Sequence, residues 1–184
     1  KLKINNVSIN SKLIKKNDIF FAIKGKRLDG NKYISEIFRK KASLAVVNRI
    51  NKKYSLSKQV KVKNTLNFLA KCSTILRENI KAKIISITGS CGKTTLKEMI
   101  GVTLKKISRT TYSPKSFNNK YGVPLSLFNL KQNDEFGVFE VGMDKKGEIN
   151  NLTKIIKPDL GIITNISYAH SKNFKNINQI ASAK

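Results

Sequence analysis

Thr88-Gly-Ser-Cys-Gly-Lys-Thr-Thr95 is the segment whose residue types and spacing are best suited to chemistry. Glycines at 89 and 92 allow a sharp turn that aims backbone N–H groups inward at phosphate oxygens, and a following helix adds its positive end. Lys93 would then reach the β- and γ-phosphates, and the Thr94 hydroxyl offers a ligand to Mg2+. Gly89, Ser90, Cys91, Gly92, Lys93, Thr94 and Thr95 are therefore the candidate nucleotide-binding residues. The longer G-x-x-x-x-G-K-[ST] spacing is not met, because Ile87 stands at its first glycine. The shorter G-x-x-G-K-T remains, which points to a nucleoside triphosphate and says nothing of the reaction. Cys91 is read as loop filler, since no base lies close in sequence to activate its thiol. A second candidate is Glu140, which closes the apolar run from Phe136 and is followed by Val141 and Gly142. Placed beside the phosphate loop, its carboxylate could hold Mg2+.

The elements that must position these groups follow from periodicity. Ile84 to Thr88 reads as a buried strand, and Lys93 to Lys105 as a helix with Leu96, Met99, Ile100 and Leu104 on its apolar side. A loop rich in Ser, Pro and Asn covers residues 113 to 122, and a helix is expected around Pro124 to Leu130. Phe136 to Val141 is a strand, Glu148 to Ile156 a helix stopped by Pro158, and Leu160 to Thr164 another strand. Upstream, strands are expected at Asp18 to Ile23, Ser43 to Val47 and Gln59 to Val62, with helices at Lys32 to Lys41 and Thr65 to Asn79. Alternating strands and helices imply mostly parallel sheets, with ligands beyond the carboxyl ends of the strands. The fold class is α/β. Residues 1 to 82 form a small N-terminal domain, and residues 83 to 184 form part of a parallel-sheet ATP-binding domain. The chain begins with Lys1 and stops at Lys184 inside an apparent helix, so a longer parent protein is expected.

Composition bounds the alternatives. With 37 Lys and Arg against 11 Asp and Glu the formal net charge is +26, which raises nucleic-acid binding as a rival. The basic residues are scattered through nearly every segment with few interleaved aromatics, so no specific nucleic-acid role is expected. The field should still attract anionic nucleotides. Two cysteines make neither a disulfide framework nor a zinc site. No apolar run is long enough to span a membrane and the N-terminus lacks a signal-peptide core, so a cytoplasmic location is expected; the chain is also expected to be a monomer.

Four further motifs follow the phosphate loop: Ser116-Phe-Asn-Asn-Lys-Tyr-Gly-Val-Pro124, Phe139-Glu-Val-Gly-Met143, Gly147-Glu-Ile149 and Thr164-Asn-Ile-Ser-Tyr-Ala-His170. Their order with TGSCGKTT resembles the Mur ligases. Val7 to Lys12, Asp18 to Gly25 and Leu28-Asp-Gly30 are similar to that family's uridine-nucleotide-binding domain, so the resemblance covers nearly the whole chain. It implies that Glu140, His170 and a carbamylated Lys184 are Mg2+ ligands acting with Lys93 in catalysis. It also implies that Asn118 and Asn119 lie near the nucleotide, and that Ser11, Lys12, Asp29 and Gly30 contact the uridine substrate. Two departures stand out. Asn10-Ser11-Lys12 replaces the family's Asp-Ser-Arg, losing the bidentate guanidinium fork, and Asn31 stands where a His often follows Asp-Gly. The activity implied is ATP-driven amide formation in peptidoglycan precursor synthesis. The terminal carboxylate of a UDP-N-acetylmuramoyl-tripeptide takes the γ-phosphoryl group, and the amine of D-alanyl-D-alanine attacks the acyl phosphate. A sister ligase adding another amino acid and a generic P-loop ATPase share the phosphate loop and remain alternatives.

Overall fold

The computed structural model describes residues 4–25, 28–168 and 173–184. It divides into two compact units, residues 1–71 and 72–184.

In the first unit, β1 (Val7–Ser8), β2 (Ile19–Phe21), β3 (Leu44–Val47) and β4 (Gln59–Lys61) form one parallel sheet in that order. The helix expected at Lys32 to Lys41 is shorter. A 3-10 turn over Gly30–Tyr33 leads into α1 (Ile34–Arg39), because the Asp29 carboxylate caps the turn by accepting from Asn31 N. Phe20, Ala22, Ile34, Ile37, Ala45 and Val47 form the core between α1 and the sheet. Two-residue β1 was not expected as a strand, since it is too short for alternation to register.

α2 (Thr65–Glu78) is capped by Asn64, whose Oδ1 accepts from Asn67 N at 3.0 Å. The division between the compact units falls within this helix, between Lys71 and Cys72. A helix passing from one compact unit to the next leaves no polar linker for composition to mark.

The second unit is built on β5 (Lys83–Thr88), β6 (Thr110–Tyr112), β7 (Phe136–Glu140) and β8 (Leu160–Ile163). All pair in parallel, in the order β6-β7-β5-β8, so β5 is central. Its helices are α3 (Lys93–Ile107), α4 (Gly122–Leu127), α5 (Glu148–Ile156) and α6 (Ile177–Ala183). Ile84, Val123, Leu127, Phe139, Leu152 and Ile156 are at the centre of its core. Arg77 ties down the end of α5: its guanidinium donates to Ile156 O at 3.0 Å and Lys157 O at 3.1 Å, and to Asp159 Oδ2 at 3.2 Å. Among the described residues no helix is long and apolar enough to cross a membrane.

One residue of an expected face is misplaced, while Leu96, Ile100 and Leu104 are half-buried. Met99, placed on the apolar side of α3, is 63% exposed, while Lys97 and Gly101 are buried. The helix turns that way because Gly101 has no side chain: a Cβ there would lie 2.5 Å from Tyr112 Cγ, so the β6 aromatic packs directly against the helix at that glycine. Periodicity counted apolar residues and could not see a glycine acting as a socket. β6 itself was missed, being three residues long beside a polar loop.

Candidate active site

Parallel pairing brings the functional groups together. β7 runs beside β5 with Glu140 opposite Ile87, so the carboxylate emerges next to the base of the phosphate loop. On the other side β8 sets Ile163 opposite Thr88, which delivers Thr164 and Asn165 to the same loop. The site therefore lies beyond the carboxyl ends of three adjacent strands, as expected for an open parallel sheet.

The two loop glycines are required for different reasons. Gly92, immediately before α3, has φ of +76°, a left-handed conformation that side chains disfavour. Gly89 is a matter of space as well: a Cβ there would lie 1.8 Å from Thr164 Oγ1. Thr164 in turn donates to Cys91 O at 2.6 Å, binding the end of β8 to the loop.

Asn165 was expected only as a companion of His170, and it has a more direct place. Its Oδ1 accepts from both Ser90 N (3.2 Å) and Cys91 N (3.1 Å), and its Nδ2 approaches Cys91 Sγ at 2.8 Å. Two of the loop amides assigned to phosphate are thus already engaged. The first N–H groups of α3, which no helix can satisfy internally, remain the natural phosphate donors. Lys93 Nζ lies on the loop's own carbonyls, 2.8 Å from Gly89 O and 3.3 Å from Ser90 O.

Glu140 is 1% exposed and both its oxygens are engaged. Thr94 Oγ1 donates to Oε2 at 2.7 Å, and Asn118 Nδ2 donates to Oε1 at 2.7 Å. The pairing of phosphate loop with carboxylate, inferred from sequence, is present as a direct hydrogen bond. The two asparagines separate in role: Asn119 Oδ1 accepts from Tyr121 N and Gly122 N, each at 3.0 Å, and so starts α4. A cavity of about 770 Å³ opens here, lined among others by Lys93, Thr94, Asn118, Glu140 and Lys184. The Lys184 amine is pushed below its ordinary pKa, first by burial and then by the neighbouring Lys93 charge. His170 lies outside the described residues. Among the described residues no three His, Cys, Asp or Glu side chains gather to hold a metal.

In the first unit the expected substrate contacts have structural duties. Ser11 is buried and its Oγ donates to Glu36 Oε2 at 2.9 Å. Asp29 is paired with Arg49 at 3.0 Å, and its carboxyl is held below the usual range chiefly by the Asn31 side chain and N–H. A Cβ on Gly30 would lie 2.7 Å from Ala22 backbone atoms, so the glycine permits the loop to close on β2. Lys12 is exposed.

A parallel sheet with a glycine-lysine loop, a strand-end glutamate and a threonine between them defines a P-loop nucleotide-binding unit. Residues 87–184 match the Mur ligase middle domain, and residues 3–74 match the segment described as Mur ligase family, catalytic domain. The chain belongs to the Mur ligase family. It is 39% identical over 180 residues to the UDP-N-acetylmuramoyl-tripeptide–D-alanyl-D-alanine ligase of Rickettsia prowazekii, covering 98% of this chain and 40% of that one. The enzyme of the same name from Buchnera aphidicola of Acyrthosiphon pisum is 37% identical, with 100% and 40% covered. Among solved structures, MurF from Acinetobacter baumannii superposes with a TM-score of 0.90 at 32% identity, covering 98% of this chain and 40% of that one. MurF from Thermotoga maritima, crystallised with ADP, gives 0.86 at 31% identity, with 100% and 42% covered. The chain thus spans about 40% of the length of these relatives.

Proposed function

We propose that this chain supplies the nucleotide-binding core and uridine-substrate domain of an ATP-dependent amide ligase of peptidoglycan synthesis. The reaction joins D-alanyl-D-alanine to a UDP-N-acetylmuramoyl-tripeptide through an acyl phosphate. The observation that carries the reading is the Thr94–Glu140–Asn118 constellation at the phosphate loop, in a chain similar along its whole length to ligases of that name.

The donor set fits Mg2+. Thr94 and Glu140 present hard oxygen ligands side by side, and this ion takes few protein oxygens together with waters and substrate phosphates. When bound there it would neutralise charge on the transferring phosphoryl group. The protein's own residues do the rest by position. The α3 N-terminus receives phosphate oxygens, and Lys93 exchanges Gly89 O and Ser90 O for the β- and γ-phosphoryl oxygens. Asn118 holds the Glu140 carboxylate in one orientation. Lys184, on the same cavity, carries the proposed carbamate, and His170 the remaining ligand position. Ser11, Lys12, Asp29 and Gly30 stay the proposed uridine-side residues.

Isothermal titration of this chain with ATP and Mg2+ tests the reading. Lys93→Ala should weaken binding about 10- to 100-fold, the loss of one charge-assisted contact. Unchanged affinity would remove the phosphate loop from its assigned place. Titration with UDP-N-acetylmuramoyl-tripeptide tests the substrate: failure to bind it while ATP binds would move the assignment to a different ligase. The 184 residues by themselves are expected to bind without ligating.

A further inference from the structure

Lys97 lies on α3 one turn beyond Thr94 and is fully buried, although it does not line the cavity. Lysine is almost never fully buried unless it is paired. Its ammonium has three protons and three partners: Ser113 O at 2.7 Å, Lys115 O at 2.9 Å and Glu98 Oε1 at 2.6 Å. Two of those partners are backbone carbonyls of the loop that leads to Asn118.

The loop needs such an anchor. Lys115 has φ of +48°, a left-handed conformation that strains a non-glycine residue. Ser113 is the next link. It is fully buried, its N–H donates to Val138 O at 2.9 Å, and its Oγ accepts from Glu140 N at 3.3 Å. Three residues past Lys115, Asn118 donates to the Glu140 carboxylate, and its O accepts from Gly142 N at 2.7 Å. A continuous set of bonds therefore runs from the phosphate-loop helix through residues 113–118 to both the main chain and the carboxylate of Glu140.

We propose that Lys97 is a positioning residue for the metal-nucleotide site. By holding the 113–115 carbonyls against α3 it fixes Asn118 and Glu140 relative to Thr94. The charge is needed because one amine must satisfy two converging carbonyls in a site closed to water, which no neutral side chain of that length does. The inference rests on the nucleotide reading above, and it predicts a particular defect: the phosphate cup survives and its coupling to Mg2+ is lost.

The test compares wild type, Lys97→Met, Lys97→Gln and Ser113→Ala by calorimetry with ATP, with and without Mg2+, and by NMR of the Asn118 side-chain amide. For Lys97→Met we expect ATP affinity without Mg2+ within about 3-fold of wild type, and at least a 10-fold fall in the gain that Mg2+ confers. The Asn118 amide protons, protected in wild type by Glu140, should exchange freely. Ser113→Ala leaves the Lys97 bonds in place and removes only the Oγ that accepts from Glu140 N, so it tests the next link. Lys97→Gln, which keeps a donor but not the charge, should move both readouts in the same direction as Lys97→Met and decides the matter if Lys97→Met does not fold. An unchanged Mg2+ gain with a protected Asn118 amide overturns the proposal, as does an equal loss of both affinities. A wild-type chain that binds no ATP refutes the nucleotide reading alone, and the Asn118 signal then decides the role of Lys97.

Discussion

Glu140 shows how a buried carboxylate is made useful. Its oxygens accept from Thr94 and Asn118, so the charge is held in one orientation on the wall of the cavity. Glu140→Gln keeps the shape and removes the charge. ATP binding without Mg2+ should persist while the gain from Mg2+ falls at least about 10-fold, read by calorimetry. Lys184 belongs to the same scale. Burial and Lys93 disfavour its ammonium, so more of its amine is neutral at a given pH than in an ordinary lysine. The neutral amine is the form that adds CO2, with loss of a proton, to give a carbamate. Carbon-13 NMR in labelled bicarbonate should show a carbamate signal that grows with pH below the ordinary lysine value of 10.5, and that Lys184→Gln lacks.

At the scale of elements, the loop between β5 and α3 depends on its neighbour β8. Gly89→Ala would drive a methyl into Thr164 Oγ1 in a conformation side chains rarely adopt. A destabilisation of about 1–3 kcal/mol is expected, with loss of nucleotide binding, measured by urea denaturation and titration. The β5–β8 pair is also secured by Asp159. Its carboxylate accepts from Ile84 N at 2.8 Å, and this bond above all lowers its pKa, with Lys83 and Arg77 helping. Because the folded value lies below the ordinary 3.8, the stabilisation is present above that pH and is lost as pH falls through the lower value. Asp159→Asn should therefore lower the urea midpoint at neutral pH, and the difference from wild type should shrink as the pH drops below the ordinary value.

For the molecule as a whole, the charge of +26 is the dominant fact. Like charges spread over so small a chain repel one another, and salt screens them. Raising salt from about 0.01 M to about 0.15 M shortens the screening length from about 30 Å to about 8 Å and should raise the melting temperature. The same field will attract DNA in low salt without specificity. That binding should fall steeply as salt rises and be indifferent to Lys93→Ala, unlike ATP binding.

The sequence by itself determined β5, β7 and β8 of the second unit with the helices between them, because those strands are apolar runs, while the short polar β6 carried no such signal. It also pointed to the chemistry proposed for the loop, since glycines, a lysine and a threonine at that spacing suit a phosphate cup. Glu140 was legible for the same reason: it ends an apolar strand that had to lie in the sheet. What sequence could not supply was the neighbour of each strand. The order β6-β7-β5-β8 put Glu140 against Thr94 and brought Asn165 onto the amides of Ser90 and Cys91. Lys97 was hidden because a lysine in a helix reads as solvated. Its alignment with Gly101, one turn on, was the available sign that this face meets another element. Burial of a charge is decided by which backbone carbonyls converge on it, and only the folded chain brings Ser113 and Lys115 to that place.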